Sequence, residues 1–549
     1  MTSPATPSPA ASGADACPSI LPQPSRVVRT AGRWARRHRG RDSAGLRLRV
    51  SASPAEALAA QAALLAGYLR EENHFEAEPG SGTGGDIHLA LSLEPRPLPR
   101  RLLDAGFSDE AHRLTVTPER ILIEAASPAG IAMGIQSLRQ LLSGQRARLA
   151  VPGMVVEDAP ALGWRGLHLD VSRHFRDAGD VRRFIDLAAF HKFNLFHWHL
   201  TDDQGWRLPV EGWPRLMEIA AWRDGTTVGH DSTAADNPDN GIRHGGAYTV
   251  EDIRGIVAHA AARGVHVLPE VDVPGHVQAL VTAYPEFGNT GAAPGVRHRW
   301  GISDSTLNLE PGTFAFLENV VGTLAGLFPF CYIHFGGDEA RTGEWAASGR
   351  IQERKRELGL ASDRDVQRYY TARLRDMAAA RGRGMIGWDE IIEHDTPSTD
   401  TAVMYWRDDF AEGAGLDVKA LRAGNPLVLA GKSHTYFDCC QAAGTDTDHE
   451  PLAIGGSLPL EAVYAWRPLA PYPAELRPGV LGAQAQLWTE YIPTRRHLDY
   501  MAYPRACALA QVLWTGESRE DMDGFSRRLK THLARLDRLG VAYRPSGSA

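Results

Sequence analysis

Residues 251–272 read EDIRGIVAHAAARGVHVLPEVD. The first part, EDIRGIVAHAAARG (251–264), reads as a helix that ends on a glycine, the residue that most readily takes the left-handed backbone of a helix terminus. VHVLPEVD (265–272) reads as a buried strand that finishes in two acids, Glu270 and Asp272. A helix delivered straight into such a strand is one unit of a strand–helix repeat.

The repeat extends in both directions. Upstream lie a strand at WRGLHLDV (164–171), a helix at VRRFIDLAAFH (181–191) and a strand at NLFHWHLT (194–201). Downstream, a helix near 314–327 leads into CYIHFGG (331–337), and a helix around 364–380 leads into MIGW (385–388). Further strands are read at AVMYW (402–406), PLVLAG (426–431) and VLGAQAQLW (480–488), with helices near 498–513 and 519–539 closing the chain. Alternation of this kind implies a parallel sheet, and eight strand units imply a closed (β/α)8 TIM barrel in an α/β chain.

Before residue 159 the pattern differs. LRLRVSA (46–52), DIHLALSL (86–93) and ILIEAAS (121–127) read as strands. Residues 54–70 and 131–143 read as helices, the first with Leu58, Ala62, Leu65 and Leu69 on one apolar face. The expectation is a small α+β domain over 27–158 that precedes the barrel of 159–549. Residues 1–26, rich in Pro, Ser and Ala, are expected to be a disordered tail. They carry no basic start with an apolar stretch behind it, so the sequence reads as that of a cytoplasmic protein.

Bulk properties narrow the function. Of 549 residues, 43% are hydrophobic and 23% charged, enough to bury a large core. A net charge of −7 argues against a nucleic-acid partner, and no apolar run reaches membrane-spanning length. The five cysteines, scattered except for Cys439–Cys440, form neither a disulfide framework nor a zinc spacing. The oligomeric state is left open.

In such barrels chemistry sits at the C-terminal strand ends. Read in order, those ends offer Asp170 with Arg173 and His174, then Asp202-Asp203, then Glu270, Asp272 and His276, then Gly336-Gly337-Asp338-Glu339. The remaining ends offer Trp388, Trp406, Tyr436 with Asp438, and Trp488 with Glu490. One tryptophan at a strand end is ordinary packing; three on one rim suit the apolar faces of sugars, with acids for hydroxyls and for acid–base work. Asp170 and Asp272 are read as structural, and His197 and His199 as satisfied core histidines.

Asp338 and Glu339 are adjacent, which is awkward for the usual pair of carboxylates about 5 Å or more apart across a glycosidic bond. The awkwardness vanishes when the protein supplies only the acid and the substrate supplies its own nucleophile.

The segments RGLHLDVSRHF (165–175), FHWHLTDDQGWR (196–207), GGAYT (245–249), PEVDVPGH (269–276), HFGGDE (334–339), GWDE (387–390), MYW (404–406), TYFD (435–438) and LWTE (487–490) resemble glycoside hydrolase family 20, the β-N-acetylhexosaminidases, in the family's order. SPAGIAMGIQSLRQLL (127–142) resembles the family's small preceding domain. The resemblance implies exo-acting, retaining removal of terminal β-GlcNAc or β-GalNAc from glycans such as chitooligosaccharides. It implies Glu339 as the proton donor, Asp338 orienting the 2-acetamido group, and Tyr436 bonded to the acetamido oxygen. It implies Trp388, Trp406 and Trp488 as pocket walls, Arg173, Asp438 and Glu490 on ring hydroxyls, and Asp202 and His276 behind Glu339. It implies no metal and no organic cofactor. Loops at 225–244 and 286–303 exceed a minimal barrel's and are expected to shape the far side of the cleaved bond.

Two rival classes would leave different signatures. A metal-dependent barrel hydrolase using His197, His199, His276 and Asp338 would need a histidine pair on the first strand; here the pair lies on the second. A non-catalytic sugar binder on the same fold would have lost the acid, whereas Glu339 is present.

Overall fold

The computed structural model describes residues 19–37, 47–231, 238–393, 397–442 and 450–545. Eight parallel strands close into a barrel: Trp164–Asp170, Leu195–His199, His266–Glu270, Tyr332–His334, Gly384–Trp388, Ala402–Tyr405, Leu427–Leu429 and Val480–Ala485. These are strands 1 to 8 below. Closure is made by strand 8 pairing with strand 1, Gln484 opposite Gly166. The barrel is the one expected from the alternation, and each strand lies inside or within a residue or two of its sequence reading.

The opening stretch shows how a unit is built. Helix Val250–Ala262 starts in a capping box, Thr249 accepting from the Asp252 amide while Asp252 accepts from Thr249. It ends before Gly264, at φ +71°. Ile253, Ile256 and Ala260 turn inward, and the chain enters strand 3 through Val265.

A seven-stranded sheet precedes the barrel, in the order Arg26–Arg37, Arg148–Asp158, His112–Val116, Ile121–Ala125, Ile87–Leu91, Leu48–Ser53 and Ala77–Ser81. Helices Ala59–Glu71 and Pro128–Leu142 cover one face and share a core with it. Four of the seven strands were not read from sequence. Arg26–Arg37 is an edge strand that buries only Trp34, so it shows no apolar alternation. Ala77–Ser81 is the opposite edge and contains Pro79 and Gly80, which suit an edge and hide a strand. Arg148–Asp158 is interrupted by Pro152-Gly153 opposite a register shift at Arg29–Arg33. His112–Val116 alternates plainly but is only five residues long.

Residues 1–18 of the expected tail lie outside the described residues. Ile20 and Leu21 are fully buried, and the Leu21 amide donates to Gln140 Oε1 (2.9 Å). That part of the segment is packed. Sheet and barrel meet through ion pairs: buried Arg139 bridges the half-buried Glu72 (2.6 Å) and Asp186 (2.7 Å), and buried Lys192 reaches Asp158 (2.6 Å).

Candidate active site

The strand ends of the barrel surround a cavity of about 950 Å³. Arg173, His276, Asp338, Glu339, Trp388, Trp406, Tyr436, Trp488 and Glu490 line it. Asp202 stands behind His276, and Asp438 is buried beside Glu490. All eleven residues singled out from sequence therefore gather at one end of the barrel.

The turn after strand 4 presents the two central acids. Gly336 and Gly337 take φ +60° and +92°, and Glu339 itself takes φ +51°. His276, in the turn after strand 3, takes φ +53°. Left-handed backbone costs a non-glycine residue free energy, and it clusters where side chains are aimed for function. Asp338 points inward and is nearly buried, whereas the Glu339 side chain is one-third exposed to the cavity. Burial, and then the neighbouring Asp272, push the Asp338 carboxyl well above the ordinary aspartate value.

Behind Glu339 runs a chain of contacts. His276 Nε2 lies 3.4 Å from Glu339 Oε2, and His276 Nδ1 lies 3.1 Å from Asp202 Oδ1. Burial alone would lower the His276 pKa. Asp202, Glu339 and Asp272 outweigh burial and hold it well above the usual imidazole value. Asp202 is also burdened by burial, yet Arg173 Nη2 (2.8 Å) and His276 keep it well below the usual aspartate range.

Three indoles wall the cavity. Trp388 and Trp488 meet at 5.8 Å and 45°, and Trp406 stacks on Tyr436 at 6.1 Å and 20°. Each has an anchor: Trp388 Nε1 donates to Glu270 Oε1 (2.8 Å), Trp406 Nε1 donates to Glu390 Oε2 (3.1 Å), and the Arg173 guanidinium lies 5.2 Å over Trp488. Asp338 and Glu490 of the cavity lining, and Asp438 beside Glu490, carry buried carboxylate oxygens with no hydrogen-bond partner among the described residues: Asp338 Oδ1, both oxygens of Asp438, and Glu490 Oε2. Burial, then Glu490, push Asp438 up to about 8. Such orphaned acceptors are costly unless a ligand satisfies them.

Residues 162–517 match the model of the glycosyl hydrolase family 20 catalytic domain, and residues 17–159 match that of family 20, domain 2. The chain belongs to glycosyl hydrolase family 20. It is 36% identical to a β-hexosaminidase of Porphyromonas gingivalis over 80% of this chain and 56% of that one, so it spans little more than half of that relative. It is 34% identical to a β-hexosaminidase of Vibrio furnissii over 90% of this chain and 76% of that one. Among solved structures, an exo β-N-acetylglucosaminidase of Vibrio harveyi in complex with N-acetylglucosamine superposes with a TM-score of 0.79 at 30% identity, covering 96% of this chain and 78% of that one. An N-acetyl-β-hexosaminidase of Streptomyces plicatus in complex with thio-NAglucal also gives 0.79, at 29% identity and 97% of each chain.

The family 20 site holds residues that sequence reading gave no role. Glu270 and Glu390 fix two of the three tryptophans, although both were quoted in family segments. Trp300 and Tyr491 also line the cavity. Trp300 belongs to the lengthened 286–303 loop, which was the available signal. Asp170 and Asp272 make the backbone contacts expected of structural acids: Asp170 accepts from the Ser172, Arg173 and Thr489 amides, and Asp272 from the Gly337 amide. His197 and His199 are fully buried and both touch Glu270. Among the described residues, no helix is long and apolar enough to cross a membrane.

Proposed function

We propose that this family 20 chain is an exo-acting, retaining β-N-acetylhexosaminidase that hydrolyses terminal, non-reducing β-linked GlcNAc and GalNAc residues of oligosaccharides, chitooligosaccharides among them. Residues 159–549 carry the chemistry and residues 27–158 form the small supporting domain. The carrying observation is the set of unpartnered carboxylate oxygens on Asp338 and Glu490, in a cavity that three tryptophans line, and on the neighbouring Asp438, next to the adjacent Asp338–Glu339 pair.

The geometry is compatible with the roles that the family resemblance implies. One terminal sugar stacks on Trp388, Trp406 and Trp488, while Arg173, Asp438 and Glu490 take its ring hydroxyls. The oxygen of its own 2-acetamido group attacks C1, and Glu339 protonates the departing oxygen. Tyr436 keeps its proton, because burial and then Asp438 hold its pKa well above the usual phenol value, so it donates to the acetamido oxygen. Asp338 accepts from the acetamido N–H. Its anion is disfavoured in the empty pocket and gains most when the oxazolinium ring turns positive, which is differential binding of the transition state. The His276 imidazolium, held by Asp202, stabilises the carboxylate that Glu339 becomes, which then activates the water that opens the oxazolinium. Two inversions at C1 give net retention.

Purified protein assayed on chromogenic β-GlcNAc and β-GalNAc and on a chitooligosaccharide series tests this. Expected are monosaccharide release from the non-reducing end and a β-anomer as first product by NMR. Early internal fragments, or an α-anomer as first product, would overturn it.

A further inference from the structure

Glu270 is fully buried in the barrel centre at the end of strand 3, and it gathers four groups. Its Oε2 lies 2.5 Å from His199 Nδ1 and 3.2 Å from His197 Nε2; its Oε1 accepts from Trp388 Nε1 at 2.8 Å and lies 2.8 Å from His334 Nδ1. A buried carboxylate is costly without such partners, so a purely structural account would ask only that it be satisfied.

His199 adds something that satisfaction does not require. Its second nitrogen, Nε2, lies 3.0 Å from Asp202 Oδ2, and the other oxygen of Asp202 meets His276. Acid and imidazole thus alternate without a break from the barrel floor to the cavity: Glu270, His199, Asp202, His276, Glu339. The first three links are hydrogen bonds of 2.5, 3.0 and 3.1 Å and the last is an approach of 3.4 Å; together they join residues from strands 2 and 3 and from the turns after strands 2, 3 and 4. Every interior member touches its two neighbours through different atoms, so none can rotate without breaking a link.

We propose that Glu270 and His199 are positioning residues for the proton donor: they fix the Asp202–His276 pair from beneath, and the same Glu270 carboxylate fixes the sugar wall through Trp388. The proposal rests on the reading of Glu339 as the acid. His199 is faced by Glu270, Asp202 and, further off, Asp170, with the His168 and Trp488 rings beside it. Burial alone would lower its pKa, but these carboxylates hold it well above the usual imidazole value, so it donates from both nitrogens. It shares Asp202 Oδ2 with Arg173 Nη2, and His276 takes Oδ1. Both oxygens of Asp202 are thereby fixed, and so is the imidazole that faces Glu339. One carboxylate consequently couples where the sugar lies to where the proton is delivered.

The test separates the two roles of Glu270 by leaving group. Glu270→Gln keeps an oxygen for Trp388 but replaces the charge that holds His199; His199→Gln keeps a polar reach toward Asp202 but loses Glu270. For both, kcat on chitobiose, a poor leaving group, should fall about 10- to 100-fold, while kcat on a dinitrophenyl β-GlcNAc glycoside should fall several-fold at most, with KM within a few-fold of wild type. Equal losses on both substrates with a raised KM would reduce Glu270 to a support for Trp388 and overturn the proposal. Failure of both variants to fold, judged by circular dichroism, would assign the pair to the core alone and overturn it too. Asp202→Asn, assayed alongside, separates the two readings. If it shows the leaving-group selectivity and the deeper variants do not, only the extension fails; if it too lacks the selectivity, the acid reading itself fails.

Discussion

Asp272 and Gly336 are in contact across two turns: a Cβ added to Gly336 would stand 1.8 Å from Asp272 Oδ1, the oxygen that also accepts the Gly337 amide at 3.1 Å. Asp272 carries a carboxyl pushed up to about 7, chiefly by burial, and its backbone amide donates to Thr201 Oγ1 at 3.1 Å. The turn that aims Asp338 and Glu339 is therefore shaped against the turn that aims His276.

Gly336→Ala should for this reason damage the site from a distance of two residues. The φ of +60° alone should cost about 1 kcal/mol, and the clash with Asp272 adds to it. We expect a lowered Tm together with a fall in kcat, because relief of the clash displaces the segment that carries both acids. A variant with wild-type Tm and kcat would show that the turn is not held as described.

Glu339→Gln should lower kcat by roughly 10²–10⁴ on substrates with poor leaving groups. Good leaving groups need little protonation, so the loss on a dinitrophenyl glycoside should be much smaller. Equal losses on the two would remove Glu339 from the acid role.

Much of this site was readable before any coordinates, and the reason is local. Each barrel strand is a short buried run, so Asp338, Trp388, Trp406, Tyr436 and Trp488 could be assigned to one rim by locating the C-terminal ends of those runs. What joins them is not local. His199 meets Glu270 across 71 residues and Trp388 meets Glu270 across 118, so the same acid that reads as one more strand end carries a network that no spacing reveals. The edge strands Arg26–Arg37 and Ala77–Ser81 escaped for the converse reason: with most of their side chains exposed, burial imposes no alternation on them.

Asp438 gives a pH signature. Its carboxyl titrates near 8 in the folded protein, against about 3.9 in an unfolded chain. Between those values the folded state binds the extra proton, so stability falls as pH rises through this window and the penalty is complete above pH 8. Asp438→Asn has no charge to bury. Its Tm should match wild type near pH 4 and exceed it increasingly toward pH 9, by a margin on the order of 1–3 kcal/mol in stability, while sugar binding weakens. A Tm difference that stays constant across that range would contradict the assignment.

The substrate-assisted route makes the sharpest demand. Asp338 and Glu339 are adjacent, and Glu490 with its buried neighbour Asp438 is read as a hydroxyl ligand, so the nucleophile is assigned to the acetamido group. A β-glucoside differs from the β-GlcNAc substrate only at C2, and it should lose chiefly kcat, because the missing nucleophile acts only in the transition state. A thiazoline that mimics the cyclised intermediate should bind far more tightly than substrate. Its affinity should fall in Asp338→Asn, since the amide cannot answer the positive ring; the raised Asp338 pKa means that the wild-type anion forms most readily when that ring is present. The decisive measurement is intact-protein mass spectrometry after exposure to a slow fluorosugar. No adduct is expected. A glycosyl group bound to any carboxylate would replace the oxazolinium with a covalent intermediate, and the adjacency of Asp338 and Glu339 would then need another explanation.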